Sequence, residues 1–205
     1  MSEAREMLDL AARLAMRAAG DVEPNPMVGC VIVRPGEGDL ASRIIGRGHH
    51  RFFGEEHAEA EALADCCRRG QSPRGATMYV TLEPCNHQGK QPPCTDAIIA
   101  AGIGRVVCAR RDPNPAAAGG EGKLRAAGID CEVNDSSVLA TRLADPFAKR
   151  VTTGLPWVIA KWAQTIDGWI ATRTGESKWI SGAPSRNKVH RIRARVDAII
   201  TAIGR

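Results

Sequence analysis

Residues 55–85, EEHAEAEALADCCRRGQSPRGATMYVTLEPC, decide the fold that this chain can adopt. Their first half is rich in alanine and predicts a helix over 55–69 that stops at Gly70, because alanine favours helices and glycine commonly follows them. The run from Thr77 to Leu82 mixes β-branched, aromatic and apolar residues, which predicts a strand. A helix followed by a strand is the repeating unit of an α/β sheet.

The same alternation extends on both sides of this stretch. Apolar residues recur at helical spacing over 2–20, with charged residues between them, and predict an amphipathic helix. Met27–Val33 predicts a buried strand, and a hairpin-like turn at 34–38 leads to a returning strand that begins at Ile44. Downstream, helices are predicted at 93–101, 123–127 and 136–150, and strands at 105–109 and 129–133. We therefore expect an α/β protein with helices on both faces of one sheet, a three-layer α/β/α arrangement.

The composition is that of a globular protein, with 43% hydrophobic and 25% charged residues. Charged residues interrupt the first helix, so it does not resemble the apolar core of a signal peptide. No apolar run approaches the roughly 20 residues that span a bilayer. The seven cysteines are an odd number, which argues against a disulfide framework. We expect a cytoplasmic protein.

Basic residues concentrate in the C-terminal third of the chain. Residues 142–205 hold 12 Lys and Arg against 4 Asp and Glu, whereas residues 1–141 hold 16 against 19. A linker is predicted at Thr152–Pro156, followed by a new strand from Trp157, which divides the chain into domains 1–150 and 151–205. The basic segment suits an anionic partner, either a phosphorylated small molecule or nucleic acid, although a solvated helix face gives the same pattern.

Four residues form a pattern typical of a catalytic metal site. His57 supplies an imidazole, Cys85 and Cys94 supply thiolates, and Glu59 places a carboxylate two residues after the imidazole. A Cys2His set indicates catalytic zinc, because three protein ligands leave the fourth tetrahedral position open. The H-x-E…P-C pattern is typical of zinc deaminases, in which the glutamate moves protons and does not bind the metal. We predict that His57, Cys85 and Cys94 hold Zn²⁺ and that Glu59 is catalytic.

The spacing of the two cysteines departs from the C-x-x-C of that pattern. Eight residues, 86–93, separate Cys85 from Cys94, and His87 within them is an alternative third ligand. Pro93 and Cys94 stand at the start of a predicted helix, which is where the deaminase pattern places its second cysteine. We therefore favour Cys94 over His87 as the third metal ligand. Lys90 in the same stretch is a cation suited to a substrate carbonyl or phosphate, or simply a solvated side chain.

Five further stretches follow one another along the chain. They are NPMVGCVIV (25–33), GHH (48–50), HAE (57–59), TLEPCNHQGKQPPC (81–94) and RDPNP (111–115). Together they resemble the deaminase half of the bifunctional deaminase/reductase family of riboflavin biosynthesis, in which the long insert between the two cysteines is the normal form. The resemblance covers essentially the whole chain.

That resemblance implies a fold, a reaction and a set of substrate contacts. The fold is cytidine-deaminase-like, and the reaction replaces one ring amine of a diaminopyrimidinone ribosyl 5′-phosphate by oxygen, with release of ammonia. Asn25, His50 and Lys90 fall on positions that match substrate-binding residues. Asp112 and Asn114 are weaker candidates, because D-P-N-P also forms a good turn.

Residues 157–204 resemble the opening of the same family's reductase domain, which has a dihydrofolate-reductase-like fold. The matching stretches are KWAQTIDG (161–168), GESKWI (175–180) and VHRIRAR (189–195). The resemblance implies that Ala163 and Trp179 contact NADPH and that Ser177 and Arg193 contact substrate.

About fifty residues offer two predicted strands and one helix, which is too little to close a sheet or to bury its apolar faces. We therefore expect 151–205 to be the incomplete start of a reductase domain, without reductase activity and with exposed apolar surface.

Two other functions remain open at the level of sequence. A tRNA or cytidine deaminase would use positive charge to hold RNA, but 1–141 has a net charge of −3, which suits a phosphodiester backbone poorly. A non-catalytic fragment stabilised by zinc would share the metal ligands and lack turnover. The expected partner is a small molecule, without nucleic acid or membrane, and a homo-oligomer is left open.

Overall fold

The structure is a computed structural model, which describes residues 2–201. The chain divides into two compact units, Met1–Pro156 and Trp157–Arg205. Among the described residues, no helix is long and apolar enough to cross a membrane.

The first unit is built on one sheet. Within residues 2–201 the sheet has five strands, β1 (Gly29–Val33), β2 (Ile44–His49), β3 (Thr77–Val80), β4 (Arg105–Cys108) and β5 (Asp130–Val133). Their order is β2-β1-β3-β4-β5; β1 is antiparallel to β2 and β3, and β3, β4 and β5 are mutually parallel. The helices are α1 (Glu3–Ala15), followed by a 3-10 turn (Met16–Ala18), α2 (Leu40–Arg43), α3 (Ala58–Arg68), α4 (Cys94–Ala101), α5 (Gly120–Ala126), α6 (Val138–Leu143) and α7 (Asp145–Thr153).

Helices cover both faces of the sheet, as the sequence predicted. Successive residues of a strand point to opposite faces, so each strand contributes to two separate cores. On one face Ile32 and Met78 pack with residues of α3, α4 and α5, and on the other Val31 and Tyr79 pack with residues of α1 and α6. The three-layer α/β/α arrangement is confirmed.

Close backbone packing fixes α3 against the sheet. A Cβ atom on Gly48 in β2 would lie 2.3 Å from the carbonyl oxygen of Ala58, and one on Gly46 would lie 2.5 Å from that of Ala62. Only glycine permits this approach. The start of α3 is therefore held on the sheet surface, where His57 precedes the helix and Glu59 lies in its first turn.

Two predicted helices differ from those observed. The predicted helix 55–69 begins at Ala58, so His57 occupies the N-cap position and is not in the first turn. The predicted helix 136–150 is two helices, α6 and α7, which meet at Ala144. Pro146 explains the break, because it has no N–H to donate to the carbonyl four residues earlier. The second helix also continues to Thr153, into the predicted linker 152–156.

The second unit has little regular structure. Its one element among the described residues is α8 (Ala183–Arg193), and no strand begins at Trp157, so that prediction was wrong. A strand needs a hydrogen-bonded neighbour, and the described part of this unit supplies none. Trp157, Val158 and Ile159 are instead 49–75% exposed.

Candidate active site

Three element ends bring the predicted metal ligands together. His57 precedes α3, Cys94 is the first residue of α4, and Cys85 lies in the loop after β3. The Nδ1 atom of His57 lies 3.5 Å from the Sγ atom of Cys85 and 3.3 Å from that of Cys94. The backbone N–H of Cys94 donates to the Cys85 sulfur at 3.4 Å, so the two cysteines are fixed relative to each other.

The donor set and its spacing fit a zinc ion. All three ligand atoms lie within 4.8 Å of one another. Ordinary Zn–N and Zn–S bonds at a tetrahedral angle separate nitrogen from sulfur by about 3.6 Å, close to the two observed distances. One imidazole nitrogen and two sulfurs are ligands that zinc prefers over calcium or magnesium. The cluster is thus suited to hold zinc through three protein atoms.

The two sulfurs influence each other's protonation. Interaction with Cys94 and His57 lowers the pKa of Cys85 from its usual value, whereas interaction with Cys85 and burial raise the pKa of Cys94. A divalent cation bound by both sulfurs would favour the thiolate form of each.

Glu59 points its carboxylate at the same cluster. The side chain is 3% exposed and contacts the thiol of Cys94. Burial raises the pKa of Glu59 to about 7. A carboxyl group with a pKa near neutrality both accepts and donates a proton readily, which is the property a general acid/base needs.

The cluster lies beside a cavity of about 220 Å³. Its lining includes all three predicted substrate residues of the first domain, Asn25, His50 and Lys90. The other polar residues that line it are His57, Glu59, Glu55, Glu83, Cys85, His87, Gln91, Asp112 and Asn114. The structure therefore brings residues from five separate stretches of sequence to one space.

Asn25 and His50 are bonded to each other beside His57. The Nδ1 atom of His50 lies 2.9 Å from the carbonyl oxygen of Glu56, so this nitrogen carries the proton and donates it. Burial lowers the pKa of His50, which favours the neutral ring. Its Nε2 atom then accepts from the Asn25 amide nitrogen at 3.2 Å. The chain of bonds fixes the orientation of the Asn25 amide.

The insert between the cysteines contributes His87, Gly89, Lys90 and Gln91 to the lining of the cavity. The Lys90 ammonium lies 3.8 Å from the centre of the Phe53 ring, and Gln91 donates to the carbonyl oxygen of Gly54 at 3.0 Å. His87 lines the cavity, and its Nδ1 atom is buried with no hydrogen-bond partner in the described structure. Among the described residues, the metal-competent cluster contains Cys94 and not His87.

Sequence reasoning gave no role to Glu83, Phe53 and Phe147, which also line the cavity. Glu83 is a buried carboxylate directly before Pro84-Cys85, and a carboxylate placed after a buried strand was the signal that could have identified it. The two phenylalanines had no comparable signal, because single aromatic residues outside a pattern are usually packing residues.

Within residues 157–201 the structure does not bring the predicted residues of the second unit together. Ala163 is partly exposed, Ser177 and Arg193 are exposed, and Trp179 is 70% exposed. Within residues 157–201, no hydrogen bond, ion pair or ring contact joins any two of these four. The Trp179 ring instead contacts the guanidinium of Arg186, 4.5 Å from the ring centre.

Residues 1–110 match the family model described as the cytidine and deoxycytidylate deaminase zinc-binding region. The chain belongs to this family. Residues 156–205 match a second model, the RibD C-terminal domain. The match to the deaminase family contains His57, Glu59, Cys85 and Cys94, the four residues that the structure brings together.

Similar proteins are riboflavin biosynthesis proteins. The chain is 44% identical over 200 residues to RibD of Aquifex aeolicus and 45% identical over 193 residues to RibD of Escherichia coli, covering 97% and 94% of this chain. The crystal structure of a diaminohydroxyphosphoribosylaminopyrimidine deaminase/5-amino-6-(5-phosphoribosylamino)uracil reductase from Thermotoga maritima is 42% identical to this chain, with a TM-score of 0.83, and covers 93% of it. The chain spans 50–54% of the length of these relatives.

Proposed function

We propose that the first unit is a zinc-dependent hydrolase that deaminates 2,5-diamino-6-(5-phosphoribosylamino)pyrimidin-4(3H)-one to the corresponding 5-aminouracil in riboflavin biosynthesis. The observation that supports this most directly is the buried Glu59 carboxylate, which contacts the His57/Cys85/Cys94 cluster beside the cavity. The names of the RibD relatives support the choice of substrate. We place the reaction in the cytoplasm.

In this proposal His57 Nδ1 and the sulfurs of Cys85 and Cys94 hold Zn²⁺. When bound, the ion acts as a Lewis acid that makes a water molecule a nucleophile near neutral pH. With only these three protein ligands, the ion would still be able to bind water. His57 and the cysteines take no other part in the reaction.

Glu59 moves the protons. Its carboxylate accepts one proton from the attacking water and delivers it to the ring nitrogen, then accepts the remaining hydroxyl proton and delivers it to the departing amine. The oxygen of the product comes from water, and the amine leaves as ammonia. The buried position of Glu59 excludes bulk water as a competing proton donor, and its pKa near 7 suits transfer in both directions.

Asn25, His50 and Lys90 orient the substrate. The hydrogen bond between Asn25 and His50 fixes the Asn25 amide, whose Oδ1 atom is an acceptor for the edge of a pyrimidine. Lys90, in the lining of the cavity, supplies a positive charge for a phosphate or carbonyl oxygen.

We further propose the domain boundaries 1–150 and 151–205, with the second segment as the start of a reductase domain. In that domain Ala163 and Trp179 would contact NADPH, and Ser177 and Arg193 would contact substrate. The match of 156–205 to the RibD C-terminal domain supports this assignment. The contacts need further secondary structure around these residues, because the described residues of the unit do not bring them together.

The deciding experiment is mass spectrometry of the diaminopyrimidinone ribosyl phosphate after incubation with zinc-loaded protein, with and without NADPH. In heavy-oxygen water the product should gain one labelled oxygen in place of one amine. A gain of two hydrogens on the sugar would reveal reductase activity as well. An unchanged substrate, with zinc bound, would contradict the proposed function.

A further inference from the structure

The Glu83 carboxylate is bound by three backbone amides. It is 6% exposed, and its Oε2 atom accepts the N–H of Asp112 at 3.0 Å. Its Oε1 atom accepts the N–H of Gly119 at 3.2 Å and of Glu121 at 3.0 Å. Hydrogen bonds to a charged acceptor are the strong ones, so three of them on one buried carboxylate hold the surrounding backbone firmly.

These amides belong to one segment, residues 112–121, that forms a wall of the cavity through Asp112, Asn114 and Ala117. The segment also bonds to the loop that carries Cys85. The N–H of Asn86 donates to the Ala117 carbonyl at 3.1 Å, and a Cβ on Gly120 would lie 1.9 Å from the carbonyl oxygen of Pro84. The wall and the metal-ligand loop are therefore fastened together.

We propose that Glu83 is a positioning residue that holds the Asp112–Asn114 wall at a fixed distance from the metal cluster. Glu83 precedes Cys85 by two residues, so its carboxylate ties the wall directly to the loop of a metal ligand. Asp112 lies in a loop without regular secondary structure on either side, and among residues 2–201 its N–H donates only to Glu83 Oε2. This inference rests on the proposed function, because the wall matters only if substrate occupies the cavity.

The two oxygens of Glu83 have unequal roles, which makes a sharp test possible. An amide in place of the carboxylate keeps one acceptor oxygen and replaces the other by a donor. In Glu83→Gln the remaining oxygen satisfies two amides if it faces Gly119 and Glu121. The NH2 group then faces the N–H of Asp112, donor against donor, and only the Asp112 end of the wall is released.

The first measurement is amide hydrogen exchange of the natural chain. The Asp112 amide should exchange as slowly as that of Glu121, although it lies in a loop. Glu83→Gln should speed exchange at Asp112 about tenfold, the consequence of losing one hydrogen bond to a charged group, and leave Glu121 nearly unchanged. Rapid exchange at Asp112 in the natural chain would overturn the proposal without any variant.

Steady-state kinetics provide the second measurement. Glu83→Gln should raise KM about tenfold and change kcat less than about threefold, because the wall contacts substrate and transition state alike. Zinc content should stay at one ion per chain. Glu132→Gln is the matched control, since it removes a carboxylate that pairs with Arg105, lies outside the cavity lining and accepts none of the three amides.

The outcomes separate this proposal from the proposed function. Loss of zinc in Glu83→Gln, or a fall in kcat with unchanged KM, would show that Glu83 supports the metal cluster and would overturn the positioning role. Unchanged KM with unchanged exchange would overturn it too. If the natural chain binds zinc and does not deaminate, the proposed function fails, whereas exchange at Asp112 still decides whether Glu83 holds the wall.

Discussion

The two units of the chain bury their large apolar side chains to opposite degrees. In the first, Leu8, Ile32 and Ile98 are fully buried between the sheet and its helices. In the second, Trp162 and Trp179 are 65% and 70% exposed. Both segments are rich in strand-forming residues, so composition does not explain the difference. Apolar side chains form a core only when hydrogen-bonded layers place them face to face.

The two units also differ in the ion pairs that their charged side chains form. In the first unit ion pairs join distant elements, such as Arg43 with Glu3 and Arg110 with Asp145. In the second, the cations of α8 form no ion pair with a carboxylate within residues 157–201. Basic side chains that have no carboxylate partner in this part of the chain leave positive charge available to an anionic ligand.

The largest expected effect tests whether activity belongs to the first unit alone. Glu59→Gln should lower kcat for deamination by about 10²–10⁴-fold, because the amide cannot move protons, while zinc remains bound. Glu176→Gln removes a carboxylate from the second unit and should leave kcat unchanged. The measurement is ammonia release at saturating substrate, together with zinc content. Full turnover by Glu59→Gln would contradict the assigned role.

Removal of zinc should affect the two units unequally. All four tryptophans lie in 157–179 and the single tyrosine, Tyr79, lies in the buried sheet, so fluorescence reports each unit separately. Chelation should lower the Tm of the first unit by about 5 °C or more, because metal binding stabilises only the folded cluster. Tryptophan emission should stay that of exposed indole. A shift in that emission would show that the units are coupled.

Substituting a glycine by alanine in each unit, which adds one methyl group, should test how closely that unit packs. Gly48→Ala places a Cβ 2.3 Å from a backbone oxygen of α3 and should destabilise the first unit by about 2–3 kcal/mol, the cost of overpacking a rigid core. Gly182→Ala meets only Pro184 Cδ at 3.7 Å and should change stability by less than about 0.5 kcal/mol. Urea unfolding followed by circular dichroism measures both. Equal losses of stability from the two substitutions would contradict the difference in packing between the two units.

A smaller effect than that of Gly48→Ala is expected at Trp179. Trp179→Ala removes an exposed ring and its contact with Arg186, worth about 0.5–1 kcal/mol at an exposed site. The same substitution of a tryptophan buried in a core would lower the stability by about 3–5 kcal/mol. Denaturant unfolding measures the difference. A large loss of stability would indicate that Trp179 is buried by residues or partners outside the described structure.

Much of the first unit was predictable because its signals are local. The runs of Val and Ile in β1 and β4, the alanines of α3 and the glycine that ends α4 each act within a few residues. The break between α6 and α7 was also encoded locally, in Pro146, but the surrounding helical pattern masked it. The predicted strand at Trp157 failed for a different reason, since a strand exists only through its neighbours.

The sequence by itself determined the metal ligands as candidates, the glutamate two residues after the histidine, and the alternation that builds a layered sheet. These follow from residue type and short spacing, which operate without knowledge of the fold. Only the tertiary structure decided that Cys94 and not His87 joins His57 and Cys85, and that Glu83 binds amides from residues 112–121. Both are contacts between chain segments that are distant in sequence, and their geometry is set by how the helices pack on the sheet.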